Sequence, residues 1–182
     1  YDVTYGIVNN NVDTLVVIDD SIVRGTTLKE SILTMLDRLQ PKKIIVVSSA
    51  PQIRYPDCYG IDMSKMGSFV AFNAAIELWK SAGKEQELKA IYQRCKEELL
   101  LPTNEMKNIV KEIYEPYTPQ QISDKIADIV KPNHIFSDIK VIYQSISNLH
   151  QACPNHTGDW YFTGNYPTAG GNKVAIKAFI NY

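Results

Sequence analysis

The sequence predicts an α/β fold that is built around a parallel β-sheet. Two apolar runs rich in β-branched residues, 15–18 and 44–47, have the length and composition of strands in such a sheet. A stretch of helical periodicity lies between them, which gives the strand–helix–strand order of a parallel crossover unit. The chain has 182 residues, enough for one domain with a core or for a domain with an appendage.

The first strand, residues 15–18, is predicted to be buried on both faces and ends at two carboxylates, Asp19 and Asp20. A polar turn, residues 21–27, follows it. The next helix is predicted to bury one stripe of apolar side chains, formed by Leu28, Ile32, Met35, Leu36 and Leu39. Pro41 ends this helix, and the second strand, residues 44–47, completes the unit.

Helical patterns dominate beyond a proline-containing loop at residues 50–66. One predicted helical face carries Phe69, Phe72, Ile76 and Trp79, and a second carries Leu88, Ile91, Tyr92, Cys95 and Leu99. A short helix is predicted over 104–114. We interpret Phe72 and Trp79 as core residues, and Cys95 as a buried, inert thiol.

The sequence Thr-Pro-Gln-Gln at 118–121 has the form of a helix capping box with proline in the first turn. It predicts a helix that carries Ile122, Ile126, Ile129 and Val130 on its apolar side. Alternation of Ile139, Val141 and Tyr143 predicts a short strand. The tail from Pro154 onward is rich in Gly, Asn, Pro and aromatic residues, and no element is predicted there.

Composition excludes several classes of partner. A net charge of -1 provides no global field for nucleic acid or a membrane surface, and no apolar run is long enough to span a bilayer. The first residues do not resemble a signal peptide. Three cysteines are a small and odd number, which argues against a disulfide framework. We therefore expect a cytoplasmic protein, and because residue 1 is Tyr rather than Met we expect a fragment of a longer polypeptide.

The turn at 21–27 has the chemistry of a phosphate site beside two hydrogen-bond acceptors. It offers backbone amides, Gly25, the hydroxyls of Ser21, Thr26 and Thr27, and the amino terminus of a helix. A ribose 5-phosphate fits this pairing, because carboxylates accept hydrogen bonds from vicinal hydroxyls or hold Mg²⁺ near them. The turn lacks the patterns of a Walker A or dinucleotide loop.

Two alternatives stay open at this turn. Paired aspartates at a strand end are about as often a turn or capping feature as a functional pair. Arg24 either binds phosphate or faces solvent. Gly25 is expected to adopt a positive φ in a surface loop, so that a valine there would abolish ligand binding and leave the fold intact.

Three segments resemble known sequence signatures. Residues 16–27, Val-Val-Ile-Asp-Asp-Ser-Ile-Val-Arg-Gly-Thr-Thr, resemble the phosphoribosyl-pyrophosphate (PRPP) signature of type I phosphoribosyltransferases in its amidophosphoribosyltransferase form. Residues 49–63 look like the segment after the next strand of that family, and residues 162–167, Phe-Thr-Gly-Asn-Tyr-Pro, look like its carboxyl-terminal piece. The three segments occur in the family's order.

The resemblance implies the second half of a type I phosphoribosyltransferase domain with a helical insertion. The partial transferase domain would span residues 1–83, the insertion 84–135, and a carboxyl-terminal segment that packs on the transferase domain 136–182. In the implied reaction, glutamine is hydrolysed to glutamate and ammonia, and the ammonia displaces pyrophosphate from PRPP to give 5-phosphoribosylamine, the first step of purine synthesis.

By position, Asp19 and Asp20 would hold the ribose hydroxyls and Mg²⁺. The 5-phosphate would bind to the loop formed by Ser21, Ile22, Val23, Arg24, Gly25, Thr26 and Thr27. The implied partners are PRPP, an amino-terminal glutaminase domain and transferase half of the same polypeptide, and further copies in a homo-oligomer. Neither nucleic acid nor a membrane is implied.

The sequence departs from the family at several places. The glutaminase nucleophile is an amino-terminal cysteine, and Tyr1 stands at the start here, so this chain is not expected to hydrolyse glutamine. The first half of the family's transferase fold, with its pyrophosphate-binding loop, is also missing, so this chain alone is expected to be a poor or inactive catalyst. Some members bind an iron–sulfur cluster through one cysteine near the position of Cys58 and a Cys-x-x-Cys pair. Gly158 and Tyr161 occupy the positions of that pair, so no iron–sulfur cluster is predicted.

The sequence also contains a weaker metal-site candidate and is compatible with two rival functions. His150, Cys153 and His156 have a spacing that suggests zinc, but we interpret them as scattered loop residues, because Pro154 interrupts a helix that would align them. Another PRPP-dependent transferase would share the loop but not the segments at 59–62 and 162–164. A PRPP-sensing module without chemistry is the second rival, although no basic recognition helix is present.

Overall fold

The computed structural model describes residues 4–59, 63–156 and 158–182. Its sheet consists of three parallel strands, β1 (Thr14–Asp19), β2 (Lys43–Ser48) and β3 (Asp138–Tyr143), in the order β1-β2-β3. Asp19, Ser48 and Tyr143 are in register at the carboxyl edge of the sheet. The predicted α/β class and all three predicted strands are confirmed.

Helices make up most of the remaining described chain. The α-helices are α1 (Leu33–Asp37), α2 (Val70–Ser81), α3 (Glu85–Glu98), α4 (Pro119–Val130), α5 (Ile146–Ala152), α6 (Trp160–Thr163) and α7 (Ala169–Ile180). A π-helical segment, Leu28–Ile32, leads into α1, and short 3₁₀ turns lie at Met66–Ser68, Thr103–Glu105 and Ile109–Ile113.

Only one face of the sheet is buried, and the prediction that the first strand is buried on both faces is wrong. Val16 is 60% exposed and Ile18 is 75% exposed, whereas Ile44 and Val46 of β2 are fully buried. Side chains alternate between the two faces of a strand, and those on the second face are exposed on β1 and β3 and partly buried on β2. An apolar run therefore does not by itself reveal that both faces are covered.

The helix after β1 contains a register shift that the sequence did not predict. The N–H of Leu33 donates to the carbonyl of Leu28, five residues earlier, which is the hydrogen bond of a π-helix. The extra residue rotates the following turn, so Leu33, which is absent from the predicted stripe, is fully buried. Ile32, Met35 and Leu36 are only partly buried.

Helices α2 and α4 build the core beside the sheet. Phe72 and Trp79 of α2 are buried, as predicted, and the indole N–H of Trp79 donates to the carbonyl of Ile113 at 2.8 Å. Ile122 and Ile126 of α4 are fully buried. The predicted capping box of α4 is present, with its side-chain and backbone hydrogen bonds both formed.

Two parts of the chain differ from the sequence prediction. The single helix predicted over 104–114 is two 3₁₀ turns, because the backbone between them is extended at Met106 and leaves the helical region at Asn108. Helix α7 lies in the tail where no element was predicted. Its start contains two glycines, which weaken a helical pattern, but Phe179 packs edge-on against Phe72 at a ring-centroid distance of 6.1 Å.

Helix α4 lies between β2 and β3 in the chain and packs against both α2 and β3. The predicted boundaries of the helical insertion, after residue 83 and at residue 135, stay a prediction. The packing of α4 is compatible with either a core helix or the end of an insertion. None of the helices in the described ranges combines the length and apolar character that a membrane crossing requires.

Candidate ligand-binding site at the carboxyl edge of the sheet

The loop after β1 is tied to the chain after β2 at the carboxyl edge of the sheet. The N–H of Ser49 donates to the carbonyl of Asp19 at 2.9 Å, and the N–H of Ala50 donates to the carbonyl of Asp20 at 3.0 Å. The hydroxyl of Ser49 adds a hydrogen bond to the carbonyl of Asp20 at 3.1 Å. The backbone that carries both carboxylates is therefore fixed by the neighbouring strand's loop.

The two carboxylates each use one oxygen locally. Oδ1 of Asp19 accepts from the N–H of Asp20 at 3.0 Å, and Oδ1 of Asp20 accepts from the N–H of Ser21 at 2.6 Å. Asp19 is half-buried and Asp20 is exposed. In the described part of the chain their Oδ2 atoms accept no hydrogen bond, so each carboxylate has an oxygen for a ligand hydroxyl or a hard cation.

The loop surrounds a depression of about 470 Å³. Its walls are formed by Asp19, Ser21, Ile22, Val23, Arg24, Gly25, Thr26, Thr27, Leu28, Ile32 and Met63. Every predicted site residue except Asp20 thus lines one concave surface, and Asp20 adjoins it in the chain. The Ile22 side chain is only 4% exposed, so this residue is available to a ligand mainly through its backbone.

Backbone amides line this depression at the start of the helix. The N–H of Lys29 donates to the carbonyl of Gly25 at 2.9 Å. In residues 24–28 before it, no backbone N–H donates to an oxygen of the described chain. Thr27 makes no side-chain capping bond either, so its hydroxyl is also available. Unpaired amides at a helix start favour a bound anion such as phosphate.

Gly25 adopts the predicted positive φ, at 72°, but it does not lie in an open surface loop. A Cβ there would stand 2.8 Å from Cγ1 of Val130 and 3.4 Å from Cγ2 of Val70. Val130 and Val70 are each 1% exposed. The expectation that a valine at position 25 leaves the fold intact is therefore wrong, since its side chain would collide with the core.

Met63 belongs to this site, although the sequence did not predict it as a site residue. It lines the depression and adopts a φ of 49°, a conformation that is uncommon for residues other than glycine. No local signal marks it, because only the tertiary fold brings residue 63 to the loop. Residues 60–62, the Gly-Ile-Asp part of the segment compared with the family, lie outside the described residues.

The two segments that the sequence resemblance associates with an iron–sulfur cluster lie side by side. The N–H groups of Arg54 and Tyr55 donate to the carbonyl of Tyr161, and the hydroxyl of Tyr161 donates to Asp57 at 3.2 Å. Cys58 is the cysteine at this junction, and Cys95 is buried in the core as predicted. Burial raises the pKa of Cys95 to about 12.

The donor set at this junction does not fit a cluster that needs four thiolates. Burial, and then the charge of Asp57, raise the pKa of Cys58, which disfavours the thiolate that a metal would require. Across residues 4–59, 63–156 and 158–182, no group of three or more His, Cys, Asp or Glu side chains is placed to hold a metal ion. The absence of iron stays a prediction for the protein in solution.

The weaker zinc candidates are only partly in a loop. His150 lies in α5, which ends at Ala152, before the proline that was expected to interrupt it. Nε2 of His150 lies 3.2 Å from Oδ2 of Asp159. This carboxylate contact orients the imidazole toward Asp159.

Similarity to curated proteins was found over part of the chain. A segment of 63 residues, 35% of this chain, is 44% identical to amidophosphoribosyltransferases of Pasteurella multocida and of Haemophilus influenzae and covers 12% of each. A segment of 80 residues, 43% of this chain, is 41% identical to the amidophosphoribosyltransferase of Lachancea kluyveri and covers 15% of it. No protein-family model matches the chain.

These relatives are much longer than the part that this chain matches, and the match lies in their carboxyl-terminal region. The identity of more than 40% is confined to that part. The three-stranded parallel sheet is consistent with a partial type I phosphoribosyltransferase domain. Over this segment the chain is similar to the carboxyl-terminal part of the amidophosphoribosyltransferases.

Proposed function

We propose that the loop at residues 19–27 binds PRPP, and that the protein acts as an amidophosphoribosyltransferase when the rest of its polypeptide is present. The observation that carries this proposal is the depression at the carboxyl edge of the sheet, where unpaired amides at a helix start adjoin two carboxylates with available oxygens. Similarity to amidophosphoribosyltransferases supports the same ligand.

The roles of the residues follow from their chemistry. The amides of residues 24–28, with the hydroxyls of Thr26 and Thr27, would donate hydrogen bonds to the 5-phosphate. Asp19 and Asp20 would accept hydrogen bonds from the ribose hydroxyls and hold Mg²⁺, whose preference for carboxylate oxygens they fit. When bound, Mg²⁺ would neutralise charge on the pyrophosphate leaving group.

The contribution of this chain is mainly positioning. A ribose held at its hydroxyls and its phosphate presents the anomeric carbon in one orientation, which lowers the entropic cost of attack by ammonia. In this proposal the ammonia comes from an amino-terminal glutaminase domain of the same polypeptide, and the enzyme is a cytoplasmic homo-oligomer. The relatives' names support the transferase class, and the order of residues 16–27 supports the ligand.

Titration of the intact protein with PRPP and Mg²⁺ tests the proposal. Each hydrogen bond to a charged group is worth about 1.5–3 kcal/mol, so Asp19→Asn combined with Asp20→Asn should raise the dissociation constant at least about tenfold. Asp138→Asn is the matched control, because Asp138 is exposed at the amino end of β3. Unchanged affinity in the double variant would refute the assignment of these carboxylates.

A further inference from the structure

A second cleft, of about 360 Å³, opens at the carboxyl edge of β2 and β3. It is lined by Pro51, Gln52, Arg54, Pro119, Gln120, Ser123, Ile142, Tyr143, Gln144, Ser145, Ile146 and Ser147. None of these residues lines the depression beside the loop at 19–27. Its volume lies within the range of about 300–1,000 Å³ that is typical of small-molecule sites.

Arg54 is the only charged side chain among the described residues that line this cleft. It is half-buried, and burial lowers the pKa of its guanidinium. No carboxylate in the described ranges forms an ion pair with it. An arginine that is partly withdrawn from solvent is often paired with an anion, because desolvating an uncompensated charge is costly.

The guanidinium of Arg54 is held in a fixed orientation by neutral groups. Its Nε and Nη2 donate to Oε1 of Gln52 at 3.1 and 2.7 Å. The amide of Gln52 is itself fixed, since it donates to the carbonyl of Pro119 and to the hydroxyl of Ser123, both at 2.8 Å. The guanidinium carbon also lies 5.2 Å from the ring centroid of Tyr114.

This arrangement leaves one edge of the guanidinium available. Gln52 occupies the Nε–Nη2 edge, whereas Nη1 donates to no acceptor in the part of the chain that the structure describes. The Nη1–Nη2 edge of an arginine matches two oxygens of a carboxylate or phosphate. Its orientation is already fixed, so an anion that binds there does not have to restrain a mobile side chain.

We propose that this cleft binds the oxyanion group of a small organic molecule, a carboxylate or a phosphate, through the Nη1–Nη2 edge of Arg54. Pro51, Ile142 and Ile146 supply apolar walls for the body of the ligand. The exposed side chains of Gln120, Ser145 and Ser147 supply polar groups at the rim. The site is separate from the PRPP loop and does not depend on the ligand bound there.

A neighbouring cleft that also contacts Arg54 is less suited to an anion. It has a volume of about 270 Å³ and also contacts Arg54, but its walls include both Lys111 and Glu115. Charges of both signs do not select for an anion. The larger cleft has a single positive charge and otherwise uncharged walls among the described residues, which is the electrostatic complement of one oxyanion.

Calorimetric titration of the intact protein with succinate and, separately, with inorganic phosphate tests this site. We expect at least one of the two to bind, and Arg54→Gln to weaken that binding at least about tenfold through loss of a charged two-point contact. Arg38→Gln is the matched control, because Arg38 is exposed and lines neither this cleft nor the PRPP depression. Binding of succinate alone assigns a carboxylate, and binding of phosphate alone assigns a phosphate.

A second variant tests the site even if Arg54→Gln does not fold. Ser147→Glu places a carboxylate at the exposed rim, where it should compete for Arg54 and weaken binding without removing a buried contact. Phosphate that binds at the PRPP loop can be distinguished, because neither Arg54→Gln nor Ser147→Glu should change its affinity there. The proposal is overturned if neither probe binds, or if a folded Ser147→Glu protein binds both probes as tightly as the unsubstituted protein.

Discussion

Gly25 lies directly against Val130, so that the proposed phosphate loop rests on the last turn of α4. A Cβ at position 25 would approach Cγ1 of Val130 to 2.8 Å, which is closer than real Cβ contacts allow. The N–H of Val70 adds a hydrogen bond of 2.8 Å to the carbonyl of Val23 in the same loop. The shape of the loop therefore depends on core helices as well as on its own glycine.

The first prediction concerns Gly25→Ala. The substitution combines an unfavourable positive φ with a clash in the core, so we expect a loss of about 2–4 kcal/mol in the free energy of unfolding. PRPP affinity should fall as well, because the loop must move to relieve the clash. Chemical denaturation and calorimetry of the same protein check both effects.

Gly83→Ala is the matched control for this prediction. Gly83 has a similar φ of 68°, but nothing lies within 4 Å of its Cβ position. This variant should lose only the conformational part, about 1–2 kcal/mol, and keep its affinity. Equal destabilisation by both substitutions would show that Val130 does not restrict position 25.

The second prediction concerns Asp37, which holds the chain that enters β3. Its carboxylate accepts hydrogen bonds from the hydroxyl of Ser137 at 2.6 Å and from the N–H groups of Ser137 and Phe136 at 3.0 and 3.3 Å. Burial acts to raise the pKa of Asp37, but these hydrogen bonds, with a smaller contribution from His134, lower it overall. Asp37→Asn should cost about 1 kcal/mol at neutral pH, because the carboxylate is partly exposed.

The pH dependence of this cost has a definite sign. Because the pKa of Asp37 is lower in the folded state than the ordinary value of 3.8, its contribution is present above that value and is lost as the pH falls through the folded-state pKa. Urea denaturation of both proteins from neutral to acidic pH measures the difference. The same comparison in a His134→Gln background separates the contribution of the histidine, and a difference that grows toward low pH would contradict the prediction.

The third prediction concerns the capping box of α4. Oγ1 of Thr118 accepts from the N–H of Gln121 at 3.2 Å, and Oε1 of Gln121 accepts from the N–H of Thr118 at 2.8 Å. Thr118→Ala should lower the free energy of unfolding by about 1 kcal/mol, whereas Thr118→Ser should retain most of it. Thermal unfolding compares the two variants, and equal melting temperatures would show that the cap contributes nothing measurable.

The fourth prediction concerns iron. Among the described residues, Cys58 is the one cysteine at the junction that the sequence resemblance associates with a cluster, and Tyr161 lies across this junction. We expect the intact protein, purified without oxygen, to be colourless and to contain no stoichiometric iron. Elemental analysis and visible absorption measure this, and a brown protein with stoichiometric iron would contradict the prediction.

Local patterns in the sequence sufficed to predict the strands and the capping box, and they also indicated the loop that we propose as the binding site. The run at 15–18, the Thr-Pro-Gln-Gln motif and the sequence at 19–27 each depend on chemistry within a few neighbouring residues. Helix α7 was missed because its glycines weaken the local signal, and contacts such as that between Phe179 and Phe72 compensate for them. The π-turn at Leu28–Ile32 was missed because a one-residue shift leaves the apolar composition unchanged.

The sequence by itself determined the α/β class, the place of the candidate loop beside Asp19 and Asp20, and the similarity to the amidophosphoribosyltransferases. These properties reside in short segments whose backbone preferences and side-chain chemistry are local. The tertiary structure alone decided that one face of β1 is exposed, that Gly25 rests on Val130, and that Arg54 lines a cleft where no described carboxylate pairs with it. Such relationships join residues far apart in the chain, and no local pattern encodes which distant side chains will share a space.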